Sequence, residues 1–373
     1  MTFLAAFAVS CGKVEEPVVP AEPIIEEDPW KELCGDVPIR FATGVADTKT
    51  TSSLPTTTNF RVFAFYQPGV VDDDPAVDYT GTWNDLSINH WTPNFMYDEE
   101  VSYQAGMWAY NPVKYWPNNA ENTLTFWAYS PYYNSDLVLR EAGGTDSDLY
   151  GNTVPGIPDV KFTTDASRDL LISELEQDLS YRGGDPATVT LTFHHVMCWV
   201  DFTVTKVDPD DDYDMYLKSI SIEDLFFTAV FSQNSDFSEA RWLSPSGATD
   251  DISVFSTDAV PGVELSHSVA LDYPPKDIHG VPERQIMPLP QRLVSTAANT
   301  PVLHVVYSFK LKGAVGEPAT YESYYPLGRI HTRWEKEKHY TYNIHISPGV
   351  PLLFTASVVR WDNEQNGFFN VNN

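Results

Sequence analysis

Few side chains in this sequence are of a type and spacing that could do chemistry. Cys11 is the first. It follows Ala8-Val9-Ser10 at the end of Met1–Ser10, a short, apolar, uncharged run. Small residues before a cysteine, behind an apolar segment, resemble a lipoprotein processing site, with Cys11 as the acylated first mature residue. The alternative is an ordinary signal peptide with an incidental cysteine. Cys11, Cys34 and Cys198 are too scattered for a disulfide framework or a metal cluster. Cys198 lies on the apolar phase of its run and reads as a buried thiol. His194 and His195 are neighbours whose side chains point to opposite faces of a strand, so they cannot chelate one ion together. They read as bulge and capping residues. His339 and His345 stand six residues apart, about 20 Å along a strand at ~3.3 Å per residue. The carboxylates of Asp72–Asp78 could suit a hard cation but lack ligand-loop spacing, and a solvated turn explains them more simply. No GxSxG elbow, HExxH, P-loop or GxGxxG occurs. No catalytic residue, metal site or cofactor is therefore expected, and the chain does not read as an enzyme.

The elements that carry these residues read as strands. Short runs rich in Val, Ile, Thr, Tyr, Phe and Trp are punctuated by Pro, Asn, Asp and Gly, which points to an all-β chain. A length of 373 residues suits two or three domains. The net charge of −29 offers no basic surface for nucleic acid or anionic lipid and suits a soluble, secreted chain. No long apolar run follows the N-terminus.

In chain order, residues 1–10 read as the signal segment and 11–36 as a tether rich in Pro and Glu. Val37–Val45 alternates, with Val37, Ile39, Phe41 and Val45 on one face. Pro38 marks it as an edge strand. Residues 46–58 form a polar Ser/Thr-rich linker holding Lys49. Asn59–Tyr66 is apolar on both faces and reads as central. Val189–Val204 alternates, flips phase at the histidines and continues, which is what one bulged strand produces. A first β-sandwich over 37–206 and a second over 207–373 follow from this division. The last two strands are the clearest. Tyr340, Tyr342, Ile344 and Ile346 share a face, and Leu352, Phe354, Ala356 and Val358 share another across a Pro348-Gly349 turn. The aromatics of Trp91–Tyr133 read as interior packing, with a sugar-binding platform as the competing reading. Trp91, Trp108 and Trp116 exposed in a row would favour the platform.

Several stretches resemble the fimbrillin family. In the first half they are Phe95-Met96-Tyr97, Trp108–Pro117, Phe126–Tyr132 and Leu191–Phe202. In the second half they are Trp334–Tyr342, the terminal hairpin and Trp361-Asp362. Glu15-Glu16 after Cys11 resembles the export tag of surface lipoproteins in the Bacteroidetes group. The resemblance implies two transthyretin-like Greek-key sandwiches in tandem and a structural or adhesive subunit of a type V pilus at the cell outer membrane. It also implies a route of assembly. A lipoprotein precursor, anchored through lipid on Cys11, is cut by a Lys/Arg-specific protease. Its first strand leaves, and a C-terminal strand of another subunit fills the groove. A vacated edge exposes unpaired backbone and an apolar trough, and a partner strand satisfies both.

Mapped here, the leaving strand is Val37, Ile39, Phe41 and Val45, and cleavage falls after Lys49, with Arg40 as the alternative. Cleavage needs an exposed flexible segment, which favours Lys49. The family's protease usually takes Arg, and this linker offers Lys. The donor is Leu352, Phe354, Ala356 and Val358. Its other reading is an ordinary strand of its own sandwich, which would suit a non-polymerising surface lipoprotein or a tip subunit that binds glycan or host protein.

Overall fold

The computed structural model describes residues 30–45, 54–69, 93, 95–131, 137–140, 159–181, 183, 188–233, 237–243, 245, 247–266, 270–275, 286–349 and 352–360. Strands dominate them, so the chain is all-β as its alternation implies. The first strands are β1 (Cys34–Pro38), β2 (Arg40–Val45), β3 (Phe60–Gln67), β4 (Met96–Gln104), β5 (Met107–Ala109) and β6 (Tyr115–Pro117). Next come β7 (Thr123–Ser130), β8 (Leu137–Arg140), β9 (Asp159–Thr163), β10 (Leu171–Ser173), β11 (Glu176–Leu179) and β12 (Thr188–His195). They are followed by β13 (Trp199–Lys206), β14 (Tyr213–Phe226), β15 (Thr228–Ser232), β16 (Arg241–Trp242), β17 (Thr249–Ser256) and β18 (Val263–Glu264). The last are β19 (Leu271–Tyr273), β20 (Val302–Leu311), β21 (Ala319–Pro326), β22 (Lys338–Ile346) and β23 (Leu353–Arg360).

The N-terminal sheet runs β10-β12-β2-β5-β4-β3-β7-β11, and β10 also pairs with β7. Seven of its strands thus form a closed circuit. Closure removes free edges, and the apolar side chains turned inward fill the interior. Phe60, Val62 and Ala64 of β3, Leu124, Phe126 and Ala128 of β7, and Val189, Leu191 and Phe193 of β12 form that core. The other faces of β3 and β7 are also buried. Phe63, Phe65, Trp127 and Tyr129 pack against a second small sheet, β16-β15-β9-β8, through Val160, Phe162 and Phe231. That explains why β3 is apolar on both faces. The β4–β5 hairpin turns at Ala105-Gly106, both at positive φ (49° and 88°), which suits a tight primed turn.

The C-terminal half stacks the sheet β19-β13-β22-β23 on β17-β14-β20-β21, with β18 on β14. Val200, Phe202 and Val204 of β13 face Leu217, Ile220 and Ile222 of β14 and Tyr342, Ile344 and Ile346 of β22 across one core.

Two sequence expectations change. The single kinked strand over Val189–Val204 is two strands in two sheets. β12 pairs with β2 and β10, whereas β13 pairs in parallel with β22 over eight residues. The phase flip marks the passage through buried Val196, Met197 and Cys198 from one core to the next. A second exchange follows: β14 lies in the C-terminal sandwich, and β15 pairs with β9. Strand pairing therefore does not follow Lys206/Val207. The second change concerns the first strand. Val37–Val45 is not one strand, and only its first part lies at an edge. It divides at Ile39 into β1, which pairs with β6, and β2, which lies between β12 and β5. Pro38, lacking an N–H, ends β1 where the chain changes partner.

Candidate functional site

Strand β2 is the seam of the N-terminal circuit. On one side it pairs in parallel with β12 over six residues, from Arg40↔Thr188 to Val45↔Phe193. On the other it meets β5 at a single pair, Phe41↔Trp108. The rest of that side is held by one bend of chain. Ile39 N–H donates to the Lys114 carbonyl (2.9 Å), and the Tyr110 hydroxyl donates to the Ile39 carbonyl (3.1 Å). Burial pushes the Tyr110 hydroxyl up to about 12, so it remains a donor at any physiological pH.

The side chains of β2 complete the core. Ile39, Phe41 and Val45 are buried, and Val37 of β1 is half-buried against the same cluster. Phe41 meets Phe60, Tyr110 and Phe126, with ring centroids at 6.0, 5.4 and 5.9 Å. The inward positions fall on alternate residues, as the sequence implies. Thr43 shares this parity, and its hydroxyl oxygen accepts a hydrogen bond from Leu54 N–H (3.3 Å). Leu54 is buried where the chain returns towards β3. Each fully buried Val, Ile or Phe contributes roughly 1.5–3 kcal/mol, so the three side chains contribute about 5–9 kcal/mol. Removing β2 would expose the β12 edge above a trough floored by Val189, Leu191, Phe193, Phe60 and Phe126.

The last strand is held more lightly. Among the described residues β23 pairs only with β22, antiparallel over eight residues, at the end of its sheet. Leu352 is buried just before the strand. Phe354 and Ala356 are half-buried against the C-terminal core, and Phe354 meets Tyr325 at 4.3 Å. Val358, expected to face inward with them, is instead 41% exposed, outside the cover that Phe354 and Ala356 share. Leu353 and Val359 on the other face are exposed as well. The strand therefore carries apolar side chains that its own sandwich covers only in part.

The remaining candidates separate. Arg40 is exposed, but its backbone lies in the paired register with Thr188. Cys11, Lys49, Trp91 and Asp72–Asp78 lie outside the described residues. Trp116 is buried against Phe126. Trp108 is half-buried between Phe60 and Tyr103. The described tryptophans thus form no exposed row. His194 bonds Glu174 (2.7 Å) and His195 bonds Asp169 (2.5 Å), each tying β12 to the segment around β10. Cys198 is buried, its thiol donating to the Pro288 carbonyl (3.2 Å). Among the described residues no group of three His, Cys, Asp or Glu is placed to hold a metal ion. Sequence reasoning missed Tyr110 and Lys114 as the clasp on Ile39; no local pattern announces a contact across 71 residues of chain.

Comparison with known proteins agrees with this architecture. The fimbrillin-like family profile matches residues 84–361. Fimbrium subunit Fim1C of Phocaeicola vulgatus is 28% identical over 226 residues, 56% of this chain and 52% of that protein. The chain thus spans about half the length of that curated relative. A crystal structure of a fimbrial protein from Bacteroides vulgatus ATCC 8482 superposes with a TM-score of 0.56 at 18% identity, covering 86% of this chain and 99% of that one. At this identity the likeness is one of fold. With the family profile spanning most of its length, the chain belongs to the fimbrillin-like family of fimbrial proteins.

Proposed function

We propose that this protein is a structural or adhesive subunit of a cell-surface pilus, assembled by proteolysis-triggered strand exchange. The precursor is exported to the outer membrane as a lipoprotein acylated at Cys11. A Lys/Arg-specific protease cuts after Lys49, the strand bearing Ile39, Phe41 and Val45 leaves, and Leu352, Phe354, Ala356 and Val358 of another subunit take its place. The observation that carries this reading is the seam. β2 has six paired residues on one side and one on the other, so its departure opens the circuit without breaking another long ladder. The half-covered apolar face of β23 supplies a matching occupant, because alternate side chains recur at the same period.

A labelled peptide spanning residues 350–361 tests it. Added to protein cut in the linker, the peptide should bind once per chain and release slowly. The same peptide carrying Phe354→Asp should not bind. Failure of the unaltered peptide to bind the cut protein would refute donation by this strand. The second reading, a tip subunit or a non-polymerising surface lipoprotein that binds glycan or host protein, draws support from the eight-residue pairing of β23 within its own sheet.

A further inference from the structure

Beside β16, between the small four-stranded sheet and the C-terminal sandwich, lies a cavity of about 750 Å³. Its wall carries Arg241, Arg292, Arg333 and Lys336. The chain has 52 Asp and Glu against 23 Lys and Arg, so a cluster of cations runs against its composition. Lys336 is neutralised by Glu337 at 2.7 Å. The three guanidiniums have no ion-pair partner among the described residues. Arg292 and Arg333 face each other as an isolated antiparallel bridge pair, which puts two like charges on directly opposite positions, an unfavourable pairing that a bound anion would relieve. Two carboxylates also line the cavity. Glu337 is engaged by Lys336 and, at 3.5 Å, by Arg360, which leaves the exposed Glu335 available as an acceptor.

We propose that this cleft binds a small carboxylate-bearing saccharide of the uronic- or sialic-acid class. Planar guanidinium forks match a carboxylate in bidentate geometry. The volume falls in the range of small-ligand pockets, about 300–1,000 Å³, and is too small for a folded partner. Trp242, Pro245 and Pro290 give an apolar wall for the C–H face of a sugar ring. Trp242 is fixed by its N–H bond to the Val196 carbonyl (2.5 Å) and by Phe231 at 5.3 Å. Glu335 decides between anions. A carboxylate beside the guanidiniums accepts from the several hydroxyls of a sugar acid, whereas the phosphate dianion offers a single hydroxyl and, with its double charge, is repelled more strongly by that carboxylate. None of the residues lining this site belongs to β2 or β23, so ligand binding and strand exchange can be tested separately.

The test is a calorimetric titration of the full chain with glucuronate, N-acetylneuraminate, glucose and inorganic phosphate. At least one of the two acidic sugars should bind saturably, and glucose should not. Arg333→Ala and Arg292→Ala, both at exposed positions, should each weaken binding by about tenfold or more, since a hydrogen bond to a charged group is worth ~1.5–3 kcal/mol. Arg329→Ala, exposed but outside the cavity, should leave it unchanged. Circular dichroism of each variant checks its fold. The proposal is overturned if neither acid binds, if glucose or phosphate binds as tightly, or if both folded cavity variants retain full affinity.

Discussion

Replacing Phe41 by Ala removes the ring at the centre of the seam. The side chain is 6% exposed, and three rings surround it, those of Phe60, Tyr110 and Phe126. Truncating a buried Phe costs about 3–5 kcal/mol in transfer and cavity terms. Aromatic pairs add roughly 0.5–1.5 kcal/mol each beyond area, which places this site toward the upper end. For a cooperative unit of ~150–250 residues, such a loss lowers Tm by about 6–20 °C. Guanidinium and thermal unfolding followed by tryptophan fluorescence measure both quantities. Arg40→Ala is the control on the same strand, because Arg40 is exposed, and its effect should stay within about 0.5 kcal/mol. The same substitution should also loosen the strand once the linker is cut. At ~1.4 kcal/mol per tenfold, release of the cut segment should accelerate by about a hundredfold or more. A destabilisation below ~1 kcal/mol, or one no larger than that of Arg40→Ala, would refute the reasoning that Phe41 keys the strand into its groove.

Other substitutions probe separate parts of the account. Tyr110→Phe deletes the donor to the Ile39 carbonyl; it should cost about 1 kcal/mol and speed loss of the cut strand, read by mass spectrometry. Glu176 is pushed up to about 7 by burial and then by Glu174. The folded chain therefore holds a proton that the unfolded chain gives up above about pH 4.5, and stability falls as pH rises towards 7. Discounted for partial exposure, Glu176→Gln should stabilise by about 1–2 kcal/mol at pH 7.5 and by nothing below pH 4.5, in unfolding curves at both pH values. Lys206 is buried and bonds Asp208 (3.1 Å) and Asp211 (2.7 Å). Lys206→Met strands the buried Asp208 carboxylate and should destabilise by about 3–5 kcal/mol at neutral pH. Lys206 and Lys312 hold Asp211 down at about 2. That stabilisation is present above the ordinary carboxylate range and lost as pH falls through about 2, so the variant should show a shallower acid dependence between pH 4 and 2.

The strands themselves were legible. Alternation placed Phe41, Phe126, Leu191, Tyr342 and Ile344 inside, and all are buried. What alternation cannot carry is partnership. A bulge and a passage between two sheets both flip the apolar phase, so Val189–Val204 read as one strand, although Phe193 and Val200 belong to different cores. The parallel pairing of β2 with β12 joins residues almost 150 positions apart (Arg40↔Thr188) and leaves no local trace. Pro38 was read for its missing N–H, and it does end β1, an edge strand of a two-stranded sheet, but the strand does not continue through it into β2. The cationic cavity was invisible for the same reason. Arg241, Arg292 and Arg333 are isolated in sequence and are brought together by β16 and a bridge between two loops.

The most direct test of the central claim is limited digestion of the full chain with a Lys/Arg-specific protease, followed by mass spectrometry and electrophoresis without boiling. Strand exchange predicts a cut after Lys49, loss of the segment bearing Ile39, Phe41 and Val45, and a detergent-resistant ladder, because kinetically locked strands survive mild detergent. A cut chain that remains a single monomeric band would contradict assembly by this strand.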